Sequence, residues 1–328
     1  MNMALKIKNK QKGLSLVEMM VALVISLFLS AGLFTMFSMS SSNVTTTSQF
    51  NQLQENGRIA LAIMERDISQ LGFMGDITGT DFVVGTNTVL EVPTSGFIDC
   101  VGAGLNNATL PNTQPAHFRR LWGYESGVGG SSLSCLAGVT VNKNTDVLQM
   151  KRFIGPNVAN GNSDAIFAAT NSSEVAFFVG ANPVAALTNP RIWEYQHHVY
   201  YIADDAAGTP VLRRITLTNK GMNNFEQLVE GIENVRFLYG FDNDGDSTPD
   251  RYIPESQVTS LMWDNESFQR LVAIKVFVLV RSVQNDPSYT NETTYQLGDK
   301  QIQPIKDNFR RKVMSTTVVL ENPVLIRS

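Results

Sequence analysis

The sequence predicts an α+β protein: a long N-terminal helix, transmembrane and then amphipathic, packed on a mostly antiparallel β-sheet head. Three observations predict it. An apolar run from Leu14 to Phe37 follows a lysine-bearing N-terminus, and apolar residues then recur at helical spacing as far as Leu71. Beyond Gly72, short apolar runs alternate with Gly, Asn, Ser and Pro, as strands alternate with turns. A chain of 328 residues can bury one sizeable core or two small ones, and 43% hydrophobic residues is ordinary for a folded protein. A net charge of -4 is too weak to imply a polyphosphate partner, so no nucleic acid is expected.

Lys6, Lys8, Lys10 and Lys12 precede the apolar run without any acid among them. The run is about 24 residues, enough to cross a bilayer at 1.5 Å per residue. Lysines on its N-terminal side alone place that end in the cytoplasm and send the rest outward. A secretory signal peptide fits less well, because the run is too long, carries an acid and lacks a small-residue cleavage site at its outer end. That acid, Glu18, sits near the start of the apolar helix, where an ionised carboxylate costs on the order of a few kcal/mol. It is a functional candidate, with snorkelling to the headgroups and tolerance at a helix N-terminus as the bland readings.

Ser38 to Ser48 has a weak helix composition, yet Phe50, Leu53, Gly57, Ala60, Met64, Ile68 and Leu71 form a stripe with a spacing of three or four. The stripe is expected to pack on the chain's own head, with Glu65, Arg66 and Asp67 on the wet side and Gly72 as the left-handed stop. Candidate strands follow at Phe82 to Val92, Val147 to Ile154, Val175 to Val179, His198 to Ile202, Val211 to Ile215, Val235 to Phe241, Leu271 to Val280 and Val313 to Leu320. The run through Val272, Ile274, Val276, Val278 and Val280 is apolar at intervening positions too, which suits a central strand.

Residues 93 to 145 lack periodicity and read as a surface insertion that contains both cysteines, Cys100 and Cys135. In an exported chain these two suit one bridge, which would contribute roughly 3 to 4 kcal/mol; two separate thiols are the alternative. Asp242, Asp244, Asp246 and Asp250 lie in a glycine-containing loop whose spacing of hard oxygen ligands suits Ca²⁺. The loop resembles thrombospondin-type and other DxDxDG calcium loops, although Ser247 replaces the glycine after the third aspartate. An exposed acidic turn is the alternative reading.

His117, His197 and His198 are expected to be structural, since no nucleophile elbow, P-loop, dinucleotide fingerprint or HExxH motif accompanies them. Arg213 and Arg214, like Arg310 to Lys312, read as solvated charges at strand edges. No catalytic residue and no required cofactor is expected.

Gly13-Leu14-Ser15-Leu16-Val17-Glu18 resembles the prepilin cleavage and methylation signal of type IV pilins and type II secretion pseudopilins. The resemblance implies that a membrane prepilin peptidase cuts after Gly13 and methylates the new amine on Leu14. Leu14 departs from the usual phenylalanine there. The implied divisions are a cleaved cytoplasmic leader (1–13), a transmembrane half of the stem (14–37), an amphipathic half (38–72) and a β-rich head (73–328) with its insertion (93–145). Cutting after Gly13 removes the lysines and leaves a cationic amine about one helical turn from Glu18. In a staggered stack, the amine of one subunit can pair with the carboxylate of its neighbour.

The stretch from Leu53 to Leu61, then Arg66-Asp67-Ile68 and Gly72-Phe73, is similar to PilW-type minor pilins. So are Val199 to Ala203, Leu228 to Asn234, Arg310-Arg311 and Thr316 to Val318. Thr35 stands where many major pilins carry a kinking proline, which suggests a less bent stem. The resemblance implies a non-catalytic minor pilin that helps to start pilus assembly at or near the filament tip, with roles in twitching and adhesion. Its partners would be other minor pilins, the major pilin, the prepilin peptidase and a PilY-type tip adhesin. It would reside in the inner membrane, head outward, before reaching the surface pilus. A J-type pseudopilin of a type II secretion system is the nearest alternative, and a membrane-tethered periplasmic hydrolase is the second.

Overall fold

The computed structural model describes residues 13, 15–77, 81–113, 118–264, 267–320 and 322. The leader lysines, Leu14 and His117 lie outside the described residues. The chain forms two units, one ending at Asn51 and one beginning at Gln52.

Helix α1 (Leu16–Ser69) runs without a break. Within the first unit its apolar side chains, from Leu16 to Met39, are exposed, and it is the one described helix long and apolar enough to cross a membrane. Serine and threonine would ordinarily weaken such a helix by competing for the backbone. Here Ser26, Thr35, Thr45 and Thr47 donate their hydroxyls to the carbonyls of Ala22, Ala31, Ser41 and Asn43, so at these four positions the competition is settled inside the helix.

In the second unit the expected stripe is the buried face: Leu53, Ala60, Met64, Ile68 and Leu71 are fully enclosed. Each such aliphatic side chain larger than alanine contributes about 1.5 to 3 kcal/mol of burial. Gly57 permits the closest approach, because a Cβ there would meet Met314 Sδ at 2.4 Å and Val280 Cγ2 at 2.9 Å. The helix closes at Ser69, and a turn continues to Gly72, whose φ of +85° is the left-handed stop that the sequence expected.

The head is mostly antiparallel sheet. Eight strands form the first sheet: β1 (Thr88–Glu91), β2 (Leu121–Glu125), β3 (Asp146–Val158), β4 (Phe167–Thr170), β5 (Val175–Phe178), β6 (Arg191–Asp204), β7 (Pro210–Thr218) and β8 (Gly221–Glu230). Its order is β1-β5-β4-β6-β3-β2, with β7 and then β8 added on β6; β1 with β5 is its one parallel pair. The second part comprises β9 (Ile232–Asp242), β10 (Arg251–Ile253), β11 (Arg270–Arg281), β12 (Tyr295–Leu297), β13 (Lys300–Ile302) and β14 (Arg311–Val319). A four-stranded sheet runs β10-β9-β11-β14, and β12 pairs with β13. The valine-rich strand β11 is central, flanked by β9 and β14. One core joins the helical stripe to both sheets through Tyr200, Ile215, Phe237, Ile274 and Val278, and a second, aromatic core gathers around Phe82, Phe153, Phe177 and Trp193.

Several expectations fail. Residues 93 to 145 are not simply a surface insertion: β2 lies within them, pairs with β3, and buries Leu121, Trp122 and Tyr124. Its five residues, interrupted by Gly123, are too few to show a period. Cys100 and Cys135, both buried, form a disulfide with Cα atoms 4.7 Å apart that closes this segment onto the core. Arg213 and Arg214 are not at an edge, because β8 covers β7. Asp67 is not on the wet side of its helix; it is 6% exposed.

Candidate assembly end, acidic loop and buried ion networks

Gly13, the residue before the expected cut, is exposed, and a Cβ built on it meets nothing within 4 Å. The helix starts on a capping box. Ser15 N donates to Glu18 Oε2 at 2.8 Å, and Val17 N donates to Ser15 Oγ at 3.4 Å, so two otherwise orphaned amides find side-chain acceptors. Glu18 is thereby held in the first turn, on the exposed surface of the stem unit. The helix-start reading of this acid and its candidate role in assembly therefore involve the same carboxylate. The geometry keeps Glu18 at the Ser15 amide, one residue after the position where cutting after Gly13 would create a new chain end.

The acidic loop follows β9. Carboxylate oxygens of Asp242, Asp244 and Asp250 lie within 4.8 Å of one another, while Asp246 stands outside the cluster and accepts from Thr248 N and Oγ1. Asp242 is buried and takes backbone N–H bonds from Asp244, Gly245 and Ser247 at 3.0, 2.7 and 2.9 Å. The amide of Gly245, then that of Ser247, holds its carboxyl below the usual range. Asp250 accepts from Asn243 N at 2.7 Å. Ser247 adopts φ +67°, the left-handed conformation that the glycine it replaces would take without a steric cost. Asp244, Asp250 and one face of Asp242 thus offer hard oxygen donors, but Asp242 already serves its own loop.

The site that the sequence reading did not identify centres on Asp67. Arg152 Nη2 from β3 reaches Oδ1 at 2.8 Å, and His198 Nδ1 from β6 reaches Oδ2 at 2.6 Å. Tyr200 donates to the same oxygen, and Arg214 Nη1 from β7 lies at 3.2 Å. Burial alone would raise the Asp67 carboxyl, but the His198 and Tyr200 hydrogen bonds and the Arg152 charge outweigh it and hold it well below the usual range. Burial also depresses His198 despite its contact with Asp67, so the imidazole donates as a neutral group. Three strands are thus tied to one helical carboxylate. A second network joins β9 to its surroundings: Arg236, 4% exposed, contacts Asp146, Glu255, Glu125 and Asp299. Arg311, also buried, holds Glu233 and Asp307 rather than standing in solvent. The one sequence signal for the Asp67 network is the alternation of His198 and Tyr200 on one strand face.

His197, on the opposite face, is fully buried 2.8 Å from Gln149 Nε2. The amide N–H makes imidazole Nε2 the acceptor. Burial pushes this group well below its usual range, and any proton on the neighbouring Lys151 or His198 would push it the same way. The unfolded chain therefore binds a proton below about pH 6.5 that the folded chain refuses, and stability falls as pH falls, by up to about 1.4 kcal/mol per pH unit. His197→Gln is expected to remove that part of the slope between pH 6.5 and 5; denaturant titrations of both chains at each pH measure it.

Residues 199–322 match the family model of the type IV pilus-assembly protein W, and residues 8–34 match the prokaryotic N-terminal methylation motif. The first match spans β7 to β14 together with the end of β6, and the second spans the chain end, the capping box and the first turns of α1. Comparison with curated proteins finds no match, and comparison with solved structures finds none. The two family matches and the apolar helix are consistent with a PilW-like, membrane-anchored type IV pilin.

Proposed function

We propose that this PilW-like chain is a minor pilin, a non-catalytic structural subunit that helps to initiate pilus assembly at or near the filament tip. The observation that carries this reading is Glu18, held by Ser15 N in the first turn of an otherwise apolar helix, within the matched methylation motif. Cleavage after Gly13 and methylation of Leu14 would produce a cationic end one turn away. Glu18 would then exchange its bond to Ser15 N for the amine of an adjoining subunit, satisfying a charge that lipid would penalise. The head would face the periplasm and present its surface to other minor pilins, the major pilin and a PilY-type adhesin.

The match over residues 199–322 favours a pilus over a type II secretion system. A deletion strain separates them. Loss of surface pili and twitching supports the reading, whereas normal pili with lost exoprotein secretion would establish a J-type pseudopilin instead.

The acidic loop is read as a weak calcium site formed by Asp242, Asp244 and Asp250, with Asp246 shaping the loop from outside the cluster. The bonds that Asp242 already makes favour the weak range of extracellular modules, roughly 10⁻⁴ to 10⁻³ M. Calorimetry of the full chain in detergent is expected to show calcium binding in that range, abolished by Asp244→Ala with Asp250→Ala. Identical traces for the two proteins would remove the metal.

A further inference from the structure

Lys151, on β3, is fully buried, and so is Asn107, the last residue of a single 3-10 turn at Leu105–Asn107. The lysine Nζ lies 3.2 Å from Asn107 Oδ1 and 2.9 Å from the carbonyl oxygen of Arg119, with the Phe118 ring centroid 4.6 Å away. Among the described residues, no carboxylate forms an ion pair with it. Asp264 is taken by both arms of Arg119, and Asp99 Oδ1 accepts from the amides of Cys100 and Thr109. A buried ammonium without a carboxylate is costly, so the group rests as a neutral amine. Burial, opposed by Asp99 and reinforced by Arg119, displaces Lys151 well below its usual range. A neutral, desolvated primary amine is a nucleophile.

The carboxamide beside it is oriented. Asn107 Nδ2 donates to Gly102 O at 2.9 Å, which turns Oδ1, and with it the carbonyl carbon, toward the amine. That contact sets the amine against the carbonyl group it would attack, with Cγ one bond beyond the oxygen that Nζ touches. Rotation of the amine about its terminal carbon bond would bring its lone pair onto Cγ.

We propose that Lys151 and Asn107 form an intramolecular isopeptide bond in the mature protein. Nζ attacks Cγ of Asn107, and a new C–N bond forms. The C–Nδ2 bond then breaks, and the proton lost by Nζ ends on Nδ2, which leaves as ammonia. No oxidant or other co-reactant is consumed. The Arg119 guanidinium, whose charge acts at Nζ, would also favour the negative charge that develops on Oδ1 during the addition. Asp99, the carboxylate whose charge couples most strongly to Nζ, is assigned the proton relay between the two nitrogens. The bond would fasten the Cys100–Cys135 loop, which contains Asn107, to the sheet strand beneath it.

Peptide mass mapping of the full chain, extracted from membranes in detergent, tests this. The expected result is a branched tryptic species joining the peptide that ends at Arg119 to the one that contains Lys151. It would be lighter than the sum of the two separate peptides by the mass of one ammonia. Lys151→Met and Asn107→Ala should each abolish it, and Asp99→Asn should slow its appearance after synthesis. Recovery of the two linear peptides from wild-type protein, with the Cys100–Cys135 bridge formed as evidence of folding, would overturn the proposal.

Discussion

Asp67→Ala is expected to lower the stability of the head by about 3 to 5 kcal/mol at neutral pH, the usual cost of removing one partner from a buried ion pair. The substitution strands Arg152 beneath the helix, where Gln70 is its remaining neighbour, and leaves His198 and Tyr200 without their acceptor. Arg214 suffers less, because Glu226 holds it from β8 at 2.7 Å. The sign of the pH dependence is fixed by the depressed carboxyl. Its contribution is present at all pH values above about 4, the unfolded value, and is lost only as pH falls through the lower folded value. The loss should therefore be the same at pH 7 and pH 5. Asp67→Leu combined with Arg152→Met should recover much of it, since an apolar pair removes both uncompensated charges. Denaturant unfolding of the three proteins measures these differences, and a loss below about 1 kcal/mol for Asp67→Ala would show that the network is not what fastens the helix.

Gly13→Phe is expected to leave the chain uncut and absent from sheared filaments, because the resemblance implies a peptidase that requires glycine there, while the open space around Gly13 lets the substitution spare the fold. Mass spectrometry that finds an N-terminus at Leu14 in this variant would contradict the processing proposal. Glu18→Val separates processing from assembly. It should still be cut, yet enter filaments less efficiently by two to four orders of magnitude, if an unpaired terminal charge costs about 3 to 5 kcal/mol in apolar surroundings. Immunoblots of membrane and filament fractions provide the comparison.

The helix and the central strands were legible because their patterns are local. Leu53, Ala60, Met64, Ile68 and Leu71 repeat with the helical period, and Val272 to Val280 can be little other than a strand enclosed on both faces. Strand β8, by contrast, reads Gly-Met-Asn-Asn-Phe-Glu-Gln-Leu-Val-Glu, a polar sequence made into strand by its partner β7. Failure to see β8 turned β7 into an apparent edge and made Arg213 and Arg214 look solvated. Asp67 shows a different limit. A charged residue between Arg66 and Ile68 is ordinary on a helix surface, and only the meeting of β3, β6 and β7 over that residue makes it a buried anchor. At the acidic loop the spacing named four aspartates alike, and it could not show that Asp246 turns toward Thr248 while the carboxylates of the other three gather.

The hydroxyls folded back along the stem have a mechanical consequence. At Ser26, Thr35, Thr45 and Thr47 the stem helix satisfies its hydroxyls from within, and those four positions need neither water nor a neighbour to complete their bonding. Such a rod can pass from oil to packed fibre and back with its backbone unaltered, so the traffic between the two states is a change of company rather than of shape.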